Sequence, residues 1–486
     1  MLNEERMLVL QFPAIIGGRS HQNGAWLDVI DPAVGRPFAQ VARCGAPEID
    51  AAVHAAREVF ESSWRMTEVT DRADLLRALS HAIRSDADSL SRLESQDTGK
   101  PLSQAAADIK IAARYFSFYA SVIETLRGET IPVRRAAFAY TVREPFGVTG
   151  HIIPWNYPIQ IAARMLAPAL AAGNCCILKP AEEAPLTAIR LAELANQVGF
   201  PPGVVNVVPG LGSEAGAALS AHPGIDHIAF TGSRPVGATV ARAAADNIVP
   251  VTLELGGKSP NIVFADANLP VALPVIVGAI IQNAGQTCSA GSRLLVQQDI
   301  YDRVVEQVAK SFRRITIGAG LNDPAMGPLI SKKQHLRVSK LVADAKAFAR
   351  LVTGGEPIED QLRDGYFFRP TLFADVPTSS SIWREEVFGP VLAAVPFKDE
   401  SEAVSLANST DFGLISAVWT QDVSRVHRMI SRLRSAQVYI NTYGAGGGVE
   451  LPFGGYKRSG YGREKGIEGL IGYSQLKTVL INQVCG

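Results

Sequence analysis

Apolar residues first recur at helical spacing. Within 71–96, Leu75, Leu79 and Ile83 fall at i, i+4 intervals and Leu90 and Leu93 continue the stripe, which predicts one amphipathic helix ended by Gly99 and Pro101. Residues 102–126 predict a second helix, with Ile109, Ala113, Phe116 and Tyr119 on adjoining turns. Over 128–143 the period changes to two. Ile131, Val133, Phe138, Tyr140 and Val142 largely alternate with polar or small residues, as in a hairpin-like strand pair. Beyond Gly150, short apolar runs at 151–154, 175–178, 204–208, 228–230 and 250–253 read as buried strands. The helical segments 159–172, 186–198, 213–221 and 236–245 fall between them. This alternation predicts a parallel sheet covered by helices on both faces, with any ligand at the carboxyl ends of its strands. A further α/β stretch runs over about 258–453, and 471–481 is again strand-like.

One segment departs from these patterns. Residues 267–292 carry no charge, yet Pro270, Pro274 and the polar series Gln282, Asn283, Gln286 and Thr287 interrupt the run. Its apolar centre is about half of the roughly 20 residues a membrane span requires. It reads as a buried soluble segment leading to Cys288. Composition narrows the class further. The 486 residues carry 47 Lys and Arg against 47 Asp and Glu, a zero net charge that excludes an electrostatic nucleic-acid binder. An apolar content of 47% excludes a disordered chain. Cys44, Cys175, Cys176, Cys288 and Cys485 are odd in number and form no CxxC pair, which argues against a disulfide scaffold and against structural zinc. Unpaired thiols and an N-terminus without a signal or transit pattern point to the cytoplasm, with no membrane partner.

Several residues could carry chemistry. Cys288, in Gly285-Gln286-Thr287-Cys288, offers a thiolate nucleophile, although most free cysteines are small buried hydrophobes, as the other four are expected to be. Glu254 ends a predicted strand beside Gly256 and Gly257, where a carboxylate could act as a general base or be an ordinary strand-end residue. Asn156, between Pro154 and Pro158, could donate its amide to an oxyanion or simply form a turn. Gly232 and Gly237 frame a strand-to-helix turn that could cradle phosphate. Ala238 stands where a P-loop needs Lys, and the GxGxxG fingerprint is absent. Lys179 and Glu182 could hold a ribose or a phosphate, or be a solvated pair. Taken singly, the last four have ordinary explanations.

Together they resemble the NAD(P)-dependent aldehyde dehydrogenase superfamily, in its non-phosphorylating, hydrolytic branch. The matching pieces are PWNYP at 154–158, KPAE at 179–182, FTGS at 230–233, ELGGKSP at 254–260, GQTCSA at 285–290, EEVFGP at 385–390 and PFGGYKRSGYGRE at 452–464, in family order across nearly the whole chain. The resemblance implies a Rossmann-like NAD-binding domain (1–127 and 145–255), an α/β catalytic domain (256–455) and a small β oligomerisation element (128–144 and 456–486) that joins copies into a homodimer or homotetramer. It implies Cys288 as nucleophile, Glu254 as general base and Asn156 in the oxyanion hole, and requires no metal. For the cofactor it implies Ile153, Trp155, Lys179, Glu182, Gly212, Phe230, Gly232, Ser233, Leu255, Glu386 and Phe388, with NAD favoured over NADP because Glu182 repels a 2′-phosphate. For an aldehyde substrate it implies Tyr157, Arg164, Gln282, Thr287 and Phe453. Semialdehyde-oxidising relatives place an Arg at the Arg164 position to meet a substrate carboxylate. Their second Arg is Gln282 here, so the clamp is incomplete and Arg164 could equally pair with a protein carboxylate. The substrate expectation is a semialdehyde acid or a substituted aromatic aldehyde. Gly447 and Gly448 imply a roomy tunnel mouth, and Glu464 matches a second Glu on a proton path. The alternatives are a CoA-acylating enzyme, a thiol hydrolase or a non-catalytic protein on the same fold.

Overall fold

The computed structural model describes residues 10–358, 362–444 and 448–482, so Gly447 and Cys485 lie outside the described residues. Its largest sheet has eight strands. In spatial order they are Gly460–Tyr461, Val251–Leu255, His227–Gly232, Val148–Ile152, Cys175–Lys179, Val205–Val207, Ala14–Ile16 and Arg19–His21. The five strands from Val251–Leu255 to Val205–Val207 run parallel, and the outer pairings are antiparallel. The strands Val148–Ile152 and His227–Gly232 lie side by side although two strands separate them in the chain. The strand order therefore reverses between them, and a crevice opens at their carboxyl ends. Register aligns Thr231 with Glu254, Phe230 with Ile152 and Ile152 with Lys179, so the candidate groups form a row along that edge.

A second, seven-stranded sheet contains Pro260–Val263, Arg293–Gln297, Val391–Phe397 and Ile415–Trp419 at its parallel centre. Its site residues lie before strands: Cys288 ahead of Arg293–Gln297, and Glu386 and Phe388 ahead of Val391–Phe397. A three-stranded sheet joins Thr130–Ile131, Ala137–Pro145 and the C-terminal Ser474–Asn482. Gly460–Tyr461, expected within that bridging element, instead closes the edge of the eight-stranded sheet, with Gly460 opposite Glu254.

Three local expectations are corrected. The single helix over 71–96 is two, Val69–Ser85 and Ala87–Thr98. The break falls at Asp86, in a Ser-Asp-Ala-Asp run that favours caps over helix interiors, and the Asp86 carboxylate accepts a hydrogen bond from Arg190 Nε at 2.8 Å. Residues 471–481 do not start as strand, because the helix Gly466–Gly472 precedes it. The charge-free stretch forms the helix Leu269–Ile281, which buries Leu269, Ala272, Ile276 and Ile280 but leaves Val271 exposed, so one face only is covered. Among the described residues no helix is long and apolar enough to cross a membrane, and no group of side chains is arranged to hold a metal ion.

Candidate active site

Cys288 stands in the wall between two cavities. The larger, about 440 Å³, is lined by residues that include Asn156, Thr231, Ser233, Glu254, Glu386 and Phe388. The smaller, about 130 Å³, is lined by residues that include Tyr157, Arg164, Gln282, Thr287 and Phe453, and Cys288 lines both. The chain reaches Cys288 through a strained turn. Asn283, Ala284 and Gly285 take φ of 49°, 53° and 73°. A non-glycine residue held there costs on the order of 1–3 kcal/mol and persists only where its surroundings fix it. The fixing contacts are Asn283 Nδ2 to the Asn156 carbonyl at 2.9 Å and Gln286 Nε2 to the Asn283 carbonyl at 3.0 Å. At Gly285 a side chain is also excluded by the Gly389 carbonyl oxygen. Burial and the neighbouring Glu254 charge push the Cys288 thiol well above its ordinary pKa.

Glu254 is 1% exposed, and neither carboxylate oxygen has a hydrogen-bond partner among the described residues. Burial pushes its carboxyl up to about 8, against the pull of Arg164. A buried carboxylate beside a thiol, only partly offset by a nearby cation, is unfavourable for a resting structure and suited to proton abstraction. The turn after it is held from the C-terminal motif: Ser459 Oγ donates to the Gly256 carbonyl at 2.8 Å, and Leu255 N donates to the Ser459 carbonyl at 3.0 Å.

Asn156 follows the strand Val148–Ile152. Its Nδ2 donates to the Gln286 carbonyl at 3.0 Å, which ties it to the Cys288 loop. Its main-chain carbonyl accepts from Lys100 Nζ at 2.9 Å as well as from Asn283. Lys100 is buried and ion-paired to Asp108 at 2.6 Å and to Glu94 at 3.4 Å, with its ammonium 4.4 Å from the centre of the Tyr157 ring. Tyr157 in turn hydrogen-bonds Thr287 at 2.8 Å. Lys100 and Asp108 were not anticipated. The segment Gly99-Lys100-Pro101 signals only a helix stop, and nothing local links it to a residue 56 positions later.

The far end of the larger cavity suits a dinucleotide. Ser233 caps the helix Arg234–Asp246 at the cavity wall, so the positive end of the helix dipole faces inward. Trp155 and Phe388 meet edge to face with ring centres 5.2 Å apart. Glu386 accepts from Gly257 N at 2.9 Å, and its loop is clamped by Arg337, which donates to the Glu386 and Val387 carbonyls. A side chain at Gly256 would collide with the Glu386 carboxylate. Arg337 was another residue the sequence did not single out. Beyond Glu183 and Ser331, which line both spaces, the cleft continues into a cavity of about 210 Å³ walled by Glu182 and Leu211. Lys179 Nζ holds Glu182 Oε2 at 3.0 Å, and Gly212 N approaches Glu182 Oε1 at 3.5 Å. The side chains of Ile153, Phe230 and Leu255, expected around the cofactor, are buried.

Arg164, expected either to meet the substrate or to pair with a protein carboxylate, lies against two protein carboxylates. It is 6% exposed, and its Nε lies 2.6 Å from Glu464 Oε2 and its Nη2 3.7 Å from Glu254 Oε2. It lines the smaller cavity, but two carboxylates of the protein already engage its charge.

A model of the aldehyde dehydrogenase family matches residues 19–479. The chain belongs to the aldehyde dehydrogenase family. The hydroxyisobutyraldehyde dehydrogenase of Mycolicibacterium austroafricanum is 42% identical over 95% of this chain and 91% of its own length. Human retinal dehydrogenase 2 is 41% identical over 95% of this chain and 90% of its own. Among solved structures, the NAD+ complex of the Bacillus cereus aldehyde dehydrogenase superposes with a TM-score of 0.95 at 40% identity, covering 97% of this chain and 96% of that one. Two relatives at nearly equal identity are named for very different aldehydes. In this family member, too, the substrate has to be argued from the smaller cavity.

Proposed function

We propose that the protein oxidises an aldehyde to its carboxylic acid with NAD, with Cys288 as nucleophile, Asn156 in the oxyanion hole and Glu254 as general base. The observation that carries this reading is the position of Cys288 in the wall shared by a dinucleotide-sized cleft and a small cavity, with Asn156 and Glu254 beside it. Cys288 Sγ gives up its proton to water in the cleft and bonds the aldehyde carbon, the Asn156 amide and the Cys288 N–H receive the charge that develops on oxygen, and collapse of this adduct releases the C–H electron pair as hydride. NAD, when bound, supplies the hydride acceptor. Ser233, Trp155, Glu386 and Phe388 would orient it. The resulting thioester on Cys288 is hydrolysed by water that gives a proton to Glu254. A buried base beside the thiol favours water over CoA as acyl acceptor, since transfer to CoA needs no water activation. The test is a panel of aldehydes with NAD and no CoA, followed by absorbance of the reduced cofactor and by acid release. Acyl transfer only in the presence of CoA would overturn the reading.

The smaller cavity, with the Gln282 amide and the Thr287 hydroxyl in its wall, favours a compact aldehyde with a polar group of the kind the mycobacterial relative is named for. It argues against a long apolar chain. Cofactor choice rests on Glu182. Burial opposes its charge, but Lys179 and the Gly212 N–H outweigh that and hold its carboxyl below the usual range, so it is ionised at neutral pH. A 2′-phosphate would meet that charge. We expect kcat/KM for NAD to exceed that for NADP by about tenfold or more, with Glu182→Gln narrowing the gap; equal values for the two cofactors would refute this. The three-stranded sheet supports self-association. Phe138, Leu476, Leu480 and Ile481 are all at least 42% exposed on it, an apolar surface unusual for a monomer. Light scattering of the purified chain should give a dimer or tetramer, and a stable monomer would exclude it.

A further inference from the structure

We propose that Arg164 is a positioning residue for the general base and not a substrate clamp. This rests on the assignment of Glu254 above. Arg164 projects from the helix Pro158–Ala171 into the space between two buried carboxylates that lie far apart in sequence. Glu464, 3% exposed, approaches Arg164 Nε at 2.6 Å, in an ion-pair contact without hydrogen-bond alignment. Glu254 lies 3.7 Å from Nη2, and the same Nη2 donates to Thr231 Oγ1 at 3.3 Å. The guanidinium carbon sits 5.1 Å from the centre of the Phe453 ring, which closes one side. The side chain is therefore fixed by contacts to the protein, and its charge is shared by Glu254 and Glu464.

Two carboxylates buried together repel, and each is further disfavoured as an anion by desolvation. A cation between them lets Glu254 lose its proton at a usable pH. The other ionisable groups facing Glu254 are Lys465, beside Glu464 in the same loop, the Cys288 thiol, and Glu386 across the larger cavity. Arg164 contacts Glu254 and Glu464 together. In hydrolysis, a water oxygen bonds the acyl carbon, the C–S bond breaks, its electron pair returns to Cys288 Sγ, and the water proton passes to Glu254. Arg164 stays charged throughout. It touches neither the water nor the acyl group in this scheme and acts through the carboxylate.

The test uses the full-length enzyme with NAD and a matched pair of aldehydes, one neutral and one carrying a carboxylate. For Arg164→Gln we expect the acid limb of the kcat–pH profile to move up by about one pH unit or more, and kcat at pH 7 to fall about tenfold. The burst of reduced cofactor should stay near one per subunit, and the ratio of kcat/KM for the two aldehydes should stay within about twofold of wild type. Arg164→Lys should restore part of the rate. Glu464→Gln should move the limb the other way, since it removes a repelling charge and leaves Arg164 to Glu254. It also keeps the test available if Arg164→Gln does not fold. A loss confined to the acidic aldehyde, or a limb unmoved in all the variants, overturns the proposal. Failure of the underlying assignment looks different: a Glu254→Gln enzyme with wild-type kcat would remove the base itself, whatever Arg164 does.

Discussion

Cys288→Ala is expected to leave a folded protein that binds NAD and oxidises no aldehyde, with kcat/KM down by about four orders of magnitude or more. The fold should survive, because Cys288 is only half-buried and lies in a loop braced by Asn283 and Gln286, whose hydrogen bonds do not use the thiol. Cofactor binding should survive, because Ser233, Trp155, Glu386 and Phe388 sit on other segments. Calorimetric titration with NAD, set beside initial rates on an aldehyde panel, reads both. A variant that kept wild-type turnover would end the covalent mechanism. A variant that lost cofactor affinity as well would mean that the loop shapes the larger cavity more than its contacts indicate.

Glu254→Gln should stop the cycle later. Each subunit is expected to release about one equivalent of reduced cofactor and then stall as the thioester, with steady-state turnover lowered by about 10²- to 10⁴-fold. The pH dependence follows from the same carboxyl. Only its ionised form can accept a proton from water. Burial pushes its value up to about 8, so the active fraction falls about tenfold for each pH unit below that. Wild-type turnover limited by hydrolysis should therefore rise from pH 6 to about 8 and level off above, and the limb should vanish in the variant. Rapid-mixing absorbance resolves burst from steady state. A full-rate steady state without a burst in Glu254→Gln would assign the base elsewhere.

Much of this site is written in short segments. Cys288 and Asn156 each sit in a loop with its own turn residues, Glu254 lies at the end of a strand just before a Gly-Gly turn, and the strands beside all three have apolar runs visible in the chain. The parallel sheet is legible for the same reason: buried strands and covering helices alternate with unlike periods. What was not legible depends on distance along the chain. Lys100 supports Asn156 from a helix end 56 residues earlier, and Arg164 meets Glu464 across 300 residues, so no local pattern couples them. Ile153, Phe230 and Leu255 flank segments that line the cleft, yet the sheet is covered on both faces and their side chains are buried. The break at Asp86 was hidden because the apolar stripe continues in register across it, while the Ser and Asp residues between carry the interruption.

The placement of Cys288 between two separate cavities has a kinetic consequence. With cofactor in the larger cavity and aldehyde in the smaller, as proposed above, each would reach the sulfur through its own space. A molecule filling only the smaller cavity should then inhibit noncompetitively toward NAD. Traffic through such a two-door chamber is governed by which door is slower, and the two can be tuned independently at residues that line only one of them, such as Phe388 and Phe453.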